Sequence, residues 1–452
     1  MHYTASRWAR PVHRVILIVG TLACAAMPEA RAESLRDVVA ATLRDNPRVL
    51  AAAAQRRAAL EDIAQARAAR LPSVDVNLGL GPERTSSPQV RAAGTGDADL
   101  TRRDAGLLIT QRLYDGNAVS SEVERLSARA DFSAARLSEV REEVALQATQ
   151  AYIEVLQHRR LLGLANDNLR AHLETHERVR QRVEGGVGQR SDLQQALGRI
   201  ALAKSVITAR AGRLREAEAL FQRVVGRPAP PLEEPAPQPA GLMSAGEVDT
   251  ARLARSTQER HEAARQTSPT LRAAAAEISA AEAAVRGARS AYRPRLNLEL
   301  SSNRNYNIAG LPGHYSSDAL MLVLRWNLFR GGADSAAERA LIERRYAAID
   351  TSASVQRDVQ ERIALALNAK ATSEERLRHL HDHERLSVEV VQAFNLQLEL
   401  GRRTLLDVLN AENELFGARS NLASAQYEDL FNGYAVEAAQ GALVKSLGLP
   451  AE

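Results

Sequence analysis

Cysteine is nearly missing from this 452-residue chain, aromatic residues make up only 4%, and lysine occurs only at Lys204, Lys370 and Lys445. One cysteine excludes a disulfide framework and a cysteine-based zinc site. Few Phe, Tyr and Trp argue against several ordinary globular cores, which draw much of their buried area from aromatic rings. Beyond the first thirty residues no stretch approaches the roughly 18 consecutive apolar residues of a transmembrane helix. A membrane role would therefore fall to strands or to a surface contact. Ala, Leu and Arg carry the chain instead, a composition of long amphipathic helices packed along seams.

The first segment reads as an address. Arg7, Arg10 and Arg14 precede an apolar run from Val15 to Ala26, and Ala30-Arg31-Ala32 offers a cleavage site. Residues 1–32 are expected to be a signal peptide. The lone Cys24 lies inside it, and Leu22-Ala23 before it is shifted from the order of a lipobox, which disfavours lipidation. Without the four Arg and one Glu of residues 1–32 the net formal charge falls from +4 to +1. Nucleic-acid binding loses its main support with that fall, and no nucleic-acid partner is expected.

Self-comparison organises the rest. Pro47 to Leu78 matches Pro269 to Leu300 at an offset of 222, with Ala51–Ala54 on Ala273–Ala276 and Pro72 on Pro294. At an offset of 215, Leu113-Tyr114-Asp115-Gly116 meets Leu328-Phe329-Arg330-Gly331, Gly186 meets Gly401, and Asp192 meets Asp407. Two copies of one unit follow, residues 33–225 and 246–452, joined by a proline-rich linker at 226–245. Each copy reads helix, strand, loop, strand, long helix, break, helix.

The strands are expected at 73–80, 104–114, 295–302 and 318–328. They alternate, with Val74, Val76, Leu78 and Leu80 against Asp75, Asn77 and Gly79, and Leu320, Leu322 and Leu324 on one face of the last. Period-2 alternation over about ten residues suits a membrane barrel as well as a half-buried soluble hairpin, and two such hairpins favour the barrel. Tyr114, Trp326 and Phe329 stand at the strand ends nearest the long helices, where an interfacial belt would lie. Four strands cannot close a barrel, so these strands require oligomerisation if they sit in lipid.

Long helices are expected at 116–183 and 332–398, tips at 184–191 and 399–406, and returning helices at 192–225 and 407–447. Leu193, Ile200, Ile207, Leu214 and Phe221 recur every seven residues, with Ala196, Ala203, Ala217 and Val224 three further on. Val408, Leu415 and Leu422 with Ala411, Ala418 and Ala425 repeat the pattern, as antiparallel coiled-coil hairpins do.

With these features in place, the chain resembles the TolC-like outer-membrane channel family over about residues 34–450. The stretches that carry the resemblance are Gly401-Arg402-Arg403-Thr404-Leu405-Leu406-Asp407-Val408-Leu409-Asn410-Ala411 and Trp326-Asn327-Leu328-Phe329-Arg330-Gly331-Gly332. The resemblance implies a mainly α fold with a membrane β part, two internal repeats, and a homotrimer that forms a 12-stranded β-barrel on an α-helical tunnel. It implies a place in the outer membrane of a Gram-negative bacterium, contact with outer-membrane lipid, and a large periplasmic part. Its implied partners are a periplasmic adaptor (membrane fusion) protein and an inner-membrane ABC transporter or proton-driven efflux pump. The implied constriction lies at the tips, with Asp192, Asp407, Arg403 and Asn410 as its residues and Gly186 and Gly401 as the breaks. Asn410 stands where the best-studied members carry a second Asp, and Leu398 where they can carry a tyrosine. Without the resemblance, Asp192 and Asp407 also read as helix caps.

His379, His381 and His383 read as a solvated helix face rather than a metal site, because only His379 and His383 share a face. No catalytic set, cofactor or metal is expected, and the chain is not expected to be an enzyme. The expected function is the exit duct of a tripartite export system, with ABC-driven type I protein secretion ahead of small-molecule efflux. A periplasmic coiled-coil scaffold without a pore is the alternative of another class.

Overall fold

The computed structural model describes residues 32–92, 98–186, 188–235 and 250–450. The expected leader with Cys24, and linker residues 236–245, lie outside the described residues.

The chain enters through two capped helices. Ser34 accepts the amide of Asp37 at the head of α1 (Leu35–Asp45). Asn46 accepts the amide of Arg48 at 2.9 Å at the head of α2 (Pro47–Ala68), where Pro47 gives up no needed donor. The second copy begins with α6 (Thr250–Thr267) and α7 (Pro269–Ala288).

Four strands form one antiparallel sheet in chain order: β1 (Ser73–Thr85), β2 (Ala98–Tyr114), β3 (Arg295–Tyr306) and β4 (His314–Arg325). A short helix α3 (Pro88–Ala92) lies between β1 and β2. β4 stops at Arg325, three residues short of the expected 328. Arg325 pairs with Arg295, and the residue before Arg295 is Pro294, which has no N–H to extend the ladder. Trp326 instead donates its indole N–H to the carbonyl of Tyr292 at 3.1 Å.

Each sheet hairpin feeds a long helix through an elbow of two left-handed residues, Gly116-Asn117 and Gly331-Gly332. A Cβ on Gly116 would stand 2.6 Å from Cβ of Arg293, so the repeated glycine meets both a backbone and a packing demand. Asp115 then accepts the amide of Val119 at 2.8 Å. The helices that follow, α4 (Ala118–Glu184) and α8 (Ala333–Glu399), have 67 residues each. At about 1.5 Å per residue each is roughly 100 Å long. Among the described residues no helix is long and apolar enough to cross a membrane.

The returning helices, α5 (Arg190–Val225) and α9 (Leu405–Ala439), cover only part of that length. α2 continues the rod above α5, with Ala59 and Ile63 packed on Ala130 of α4. Asn46 ties the two pieces, since its amide donates to the carbonyl of Val224 at 3.3 Å while its oxygen caps α2. α7 stands likewise above α9, where Leu271 and Ala439 flank the cluster of Val359, Ile363, Leu367 and Val436. Ala196, Ile200, Ala203, Ala217, Phe221 and Val224 of the heptad are buried, and the remaining seam positions are half-buried.

The largest core lies at the waist, where the stacked pieces meet. Tyr152 and Phe221 are fully buried there, with Tyr427 and Tyr434 beside them. Four of the chain's aromatic rings therefore lie in this waist. Glu33, just before α1, is bound to the same level. Glu33 exchanges backbone bonds with Pro231 and Glu233 and pairs with Arg227, and Tyr152 donates from its hydroxyl to the carbonyls of Glu33 and Glu233.

The last helix, α10 (Leu443–Ser446), docks on α4 through one carboxylate. Glu142 accepts the amides of Leu443 at 2.9 Å and Val444 at 3.1 Å. Burial raises its pKa from 4.5 to about 7, outweighing the two amides that pull it down. A carboxyl raised in the folded state contributes stability below pH 4.5 that is lost as pH rises through about 7. The free energy of unfolding should therefore fall between pH 5 and 7.5 more steeply for the wild type than for Glu142→Gln, by up to roughly 1.4 kcal/mol per pH unit, and the melting temperature with it. Parallel slopes in differential scanning fluorimetry would remove Glu142 from the pH response.

Candidate functional site

Both long helices end in tight loops of five residues, 185–189 and 400–404. At the second tip the amide of Gly401 reaches the carbonyl of Leu398 and the amide of Arg402 that of Gln397, a Schellman closure. Gly401 has φ +71° and Gly186, its equivalent, φ +76°. A residue with a Cβ would be strained at either break. Gly186 donates to Val183 in the same way.

The acids that follow have different surroundings. Thr404 caps α9: its hydroxyl accepts the amide of Asp407 at 3.3 Å, and Asp407 accepts from the Thr404 amide and hydroxyl. This reciprocal box holds the Asp407 carboxyl below the usual carboxylate range, chiefly through the Thr404 hydroxyl. Asp192 occupies the same third position of α5, but Gln189 stands at the cap and makes no side-chain capping bond. The two tips thus share a loop length and differ in how their helices start.

Arg403 lies 3.9 Å from Asp407, at the limit of an ion pair. Its firmer contacts are with α8: Nε donates to Gln397 at 3.1 Å, and the guanidinium sits 4.0 Å from the ring centroid of Phe394. Asn410 accepts from Arg199 of α5 at 2.7 Å, linking the two hairpins. Arg182 reaches across to the carbonyl of Leu398 at 3.3 Å. Between the tips lies a cleft of about 490 Å³, lined in part by Arg178, Arg182, Asp192, Glu399 and Arg403. The fold brings Asp192 and Arg403 to one cleft, while Asp407 and Asn410 serve other contacts.

A polar cluster below the tip had no sequence signal. His172 and Glu412 are 3% and 8% exposed and face each other at 3.2 Å between α4 and α9. Thr175 donates to the other Glu412 oxygen at 2.9 Å, and Arg178 joins Thr175 to Asn395 of α8. Three helices of the two hairpins meet there. Only a helical-face projection of three distant segments would have found it.

At the opposite end, one face of the sheet is apolar. Val74, Val76, Leu78 and Leu80 are 61–79% exposed, as are Leu320, Leu322 and Leu324 at 61–67%. In register these strands align Val74, Ile109, Leu300 and Leu320 in one row. The other face carries Asp75, Asn77, Asp104, Arg102, Asn303 and Glu299. Tyr114, Trp326, Phe329 and Tyr292 are exposed at the helix end of the sheet. β1 and β4 each leave one edge unpaired.

Comparison with known proteins gives a coherent set. The sequence model described as outer membrane efflux protein matches residues 38–227 and 261–443. The outer membrane efflux protein BepC of Brucella suis biovar 1 is 25% identical over 452 residues, covering 99% of this chain and 94% of that protein. The alkaline protease secretion protein AprF of Pseudomonas aeruginosa is 26% identical over 417 residues, covering 89% and 83%. The open-state structure of the Neisseria gonorrhoeae MtrE outer membrane channel aligns with a TM-score of 0.72 at 21% identity, covering 91% of this chain and 89% of that one.

The capping box yields a local test. Thr404→Ala should cost about 1 kcal/mol at the start of α9. The amides of Leu406 and Asp407 should then exchange with deuterium roughly fivefold faster. Gln189→Ala should leave the equivalent amides of α5 unchanged, and equal effects at the two tips would refute the difference.

Proposed function

Because this chain belongs to the outer membrane efflux protein family, we propose that it is the exit duct of a tripartite export system, working as a homotrimer with a periplasmic adaptor and an inner-membrane transporter. It is an outer-membrane protein, and its fold is that of the family's channels. The observation that carries the trimer is the sheet. Its apolar face offers hydrocarbon-facing side chains, yet β1 and β4 keep open edges that lipid does not tolerate. Three copies supply twelve strands and remove every edge. The long helix α8 supports the same assembly, for Tyr346, Ile349, Leu365 and Leu386 on it are 41–60% exposed and await a neighbour.

For cargo, the proposal is protein, driven by an ABC transporter in type I secretion. The support is the first tip, Gly188-Gln189-Arg190-Ser191-Asp192-Leu193, and the likeness to a relative named for protease secretion. Small-molecule efflux is the second reading, favoured by the efflux-named relative that spans nearly the whole chain. Deleting the gene separates them. Loss of a secreted protein with unchanged drug susceptibility supports the first, and the reverse supports the second. A pore-free scaffold would instead wash off membranes in carbonate and run as a heat-labile species, whereas the duct needs detergent and resists heat as a trimer.

The tips are proposed as the constriction, with Asp192 and Asp407 presenting carboxylates that favour cations. Arg403 and Asp407 stiffen the second tip, and Asn410 with Arg199 holds the two hairpins together. Replacing Arg403 and Asp407 together by Ala should raise single-channel conductance in a planar bilayer severalfold. Unchanged conductance would remove these residues from the gate.

A further inference from the structure

The two ends of the sheet's apolar face are unlike. Toward the helices, the outward positions are Leu296, Leu298, Gln111, Tyr114 and Leu324, and none of the described outward strand residues there is charged. Toward the far end the same face carries Arg84, Arg103 and Arg304, with Asp99 and Asp318. Every outward charge of the sheet is at one end of the apolar band.

The register places these residues. Arg103 of β2 lies opposite Leu80 of β1 and Tyr306 of β3, and Arg304 lies opposite Ala105. Arg103 and Arg304 are therefore diagonal neighbours on adjacent strands, with Cβ atoms about 7–8 Å apart. Arg304 is fixed: both terminal nitrogens bond the Asp318 carboxylate at 3.0 Å, and Ser302 bonds the same carboxylate at 2.6 Å. Arg103 has no carboxylate partner among the described residues. Its one contact is the ring of Tyr306, with the guanidinium 6.0 Å from the centroid. An exposed guanidinium held against a ring and bordering hydrocarbon keeps its donor edge open, and that fork matches phosphate oxygens.

We propose that Arg103, Arg304 and Tyr306 form a headgroup site for a phosphate-bearing lipid in the leaflet remote from the helices. It rests on the barrel reading above, which puts this face in lipid. Among the described outward strand residues at this end three arginines stand against two aspartates, and juxtamembrane cations attract anionic headgroups. The apolar rows of β1 and β3 beneath Arg103 receive the acyl chains, and the charge end takes the phosphate. The helix-side rim, aromatic and uncharged on this face, suits a less charged leaflet, so the sheet matches an asymmetric bilayer in one orientation.

The test uses the purified full-length oligomer in phosphatidylcholine vesicles, doped with diphosphorylated lipid A or with its dephosphorylated form. Diphosphorylated lipid A should raise the temperature of oligomer dissociation, and Arg103→Gln should lose at least half of that rise while Arg103→Lys keeps more of it. Lipid A recovered with the oligomer should fall about tenfold in Arg103→Gln, the weight of one charge-assisted pair. Equal protection by the two lipid forms, or a full response in Arg103→Gln, overturns the proposal. Inorganic phosphate protecting as well as the lipid would assign a soluble-anion site and overturn it too. Failure of the wild type to float with vesicles of any composition would refute the barrel itself, a result distinct from these.

Discussion

Unpaired backbone at the two edges of a four-stranded sheet governs this molecule. In water such edges are hydrated, but beside hydrocarbon each free N–H or C=O costs several kcal/mol. The apolar face of Leu and Val and the edges of β1 and β4 make opposite demands on one chain: the face asks for lipid and the edges forbid it. Only closure with further copies satisfies both. The exposed apolar residues along α8 follow the same logic, because a barrel of strands that closes threefold brings its helices side by side.

The helical part solves a different problem, that of reaching far with little core. A helix of 67 residues has no partner of equal length, so each is covered by two pieces stacked end to end. The joint is where a rod is weakest, and four aromatic rings and the backbone crossings lie there. Tyr152 and Phe221 fill the waist, Asn46 bonds both pieces at once, and Glu33 is bound to the start of the linker. Away from the waist, narrow seams of Ala and Leu suffice. Below the tip, the His172, Thr175, Arg178 and Glu412 cluster ties one hairpin to the other by buried polar contacts, whose groups are costly to leave unpaired.

Much of this was legible in residue order. Period-2 alternation separated the strands from the helices, and the duplicated offsets of 222 and 215 tied Gly186 to Gly401 before any geometry. The 215 offset reappears as two helices of equal length and two five-residue loops. What escaped were facts that depend on distance between remote segments. Pro294, far from β4 in sequence, ends β4 by lacking a donor. Glu142 reads as one of many helix carboxylates, and only its position under Leu443 and Val444 sets its charge apart. Asn410 gave no hint of Arg199, 211 residues away. The equal sequence positions of Asp192 and Asp407 also concealed their difference, since the cap is decided by the residue three before each acid.

That difference bears on symmetry. In the trimer proposed above, two nearly equal repeats make a ring of six hairpins, which to a first view turns by sixths. With Thr404 closing one kind of helix start and Gln189 leaving the other without a side-chain cap, the ring has alternating stiff and compliant members. A load spread evenly over such a ring deforms it as a triangle, and an approaching partner meets three distinguishable stations rather than six.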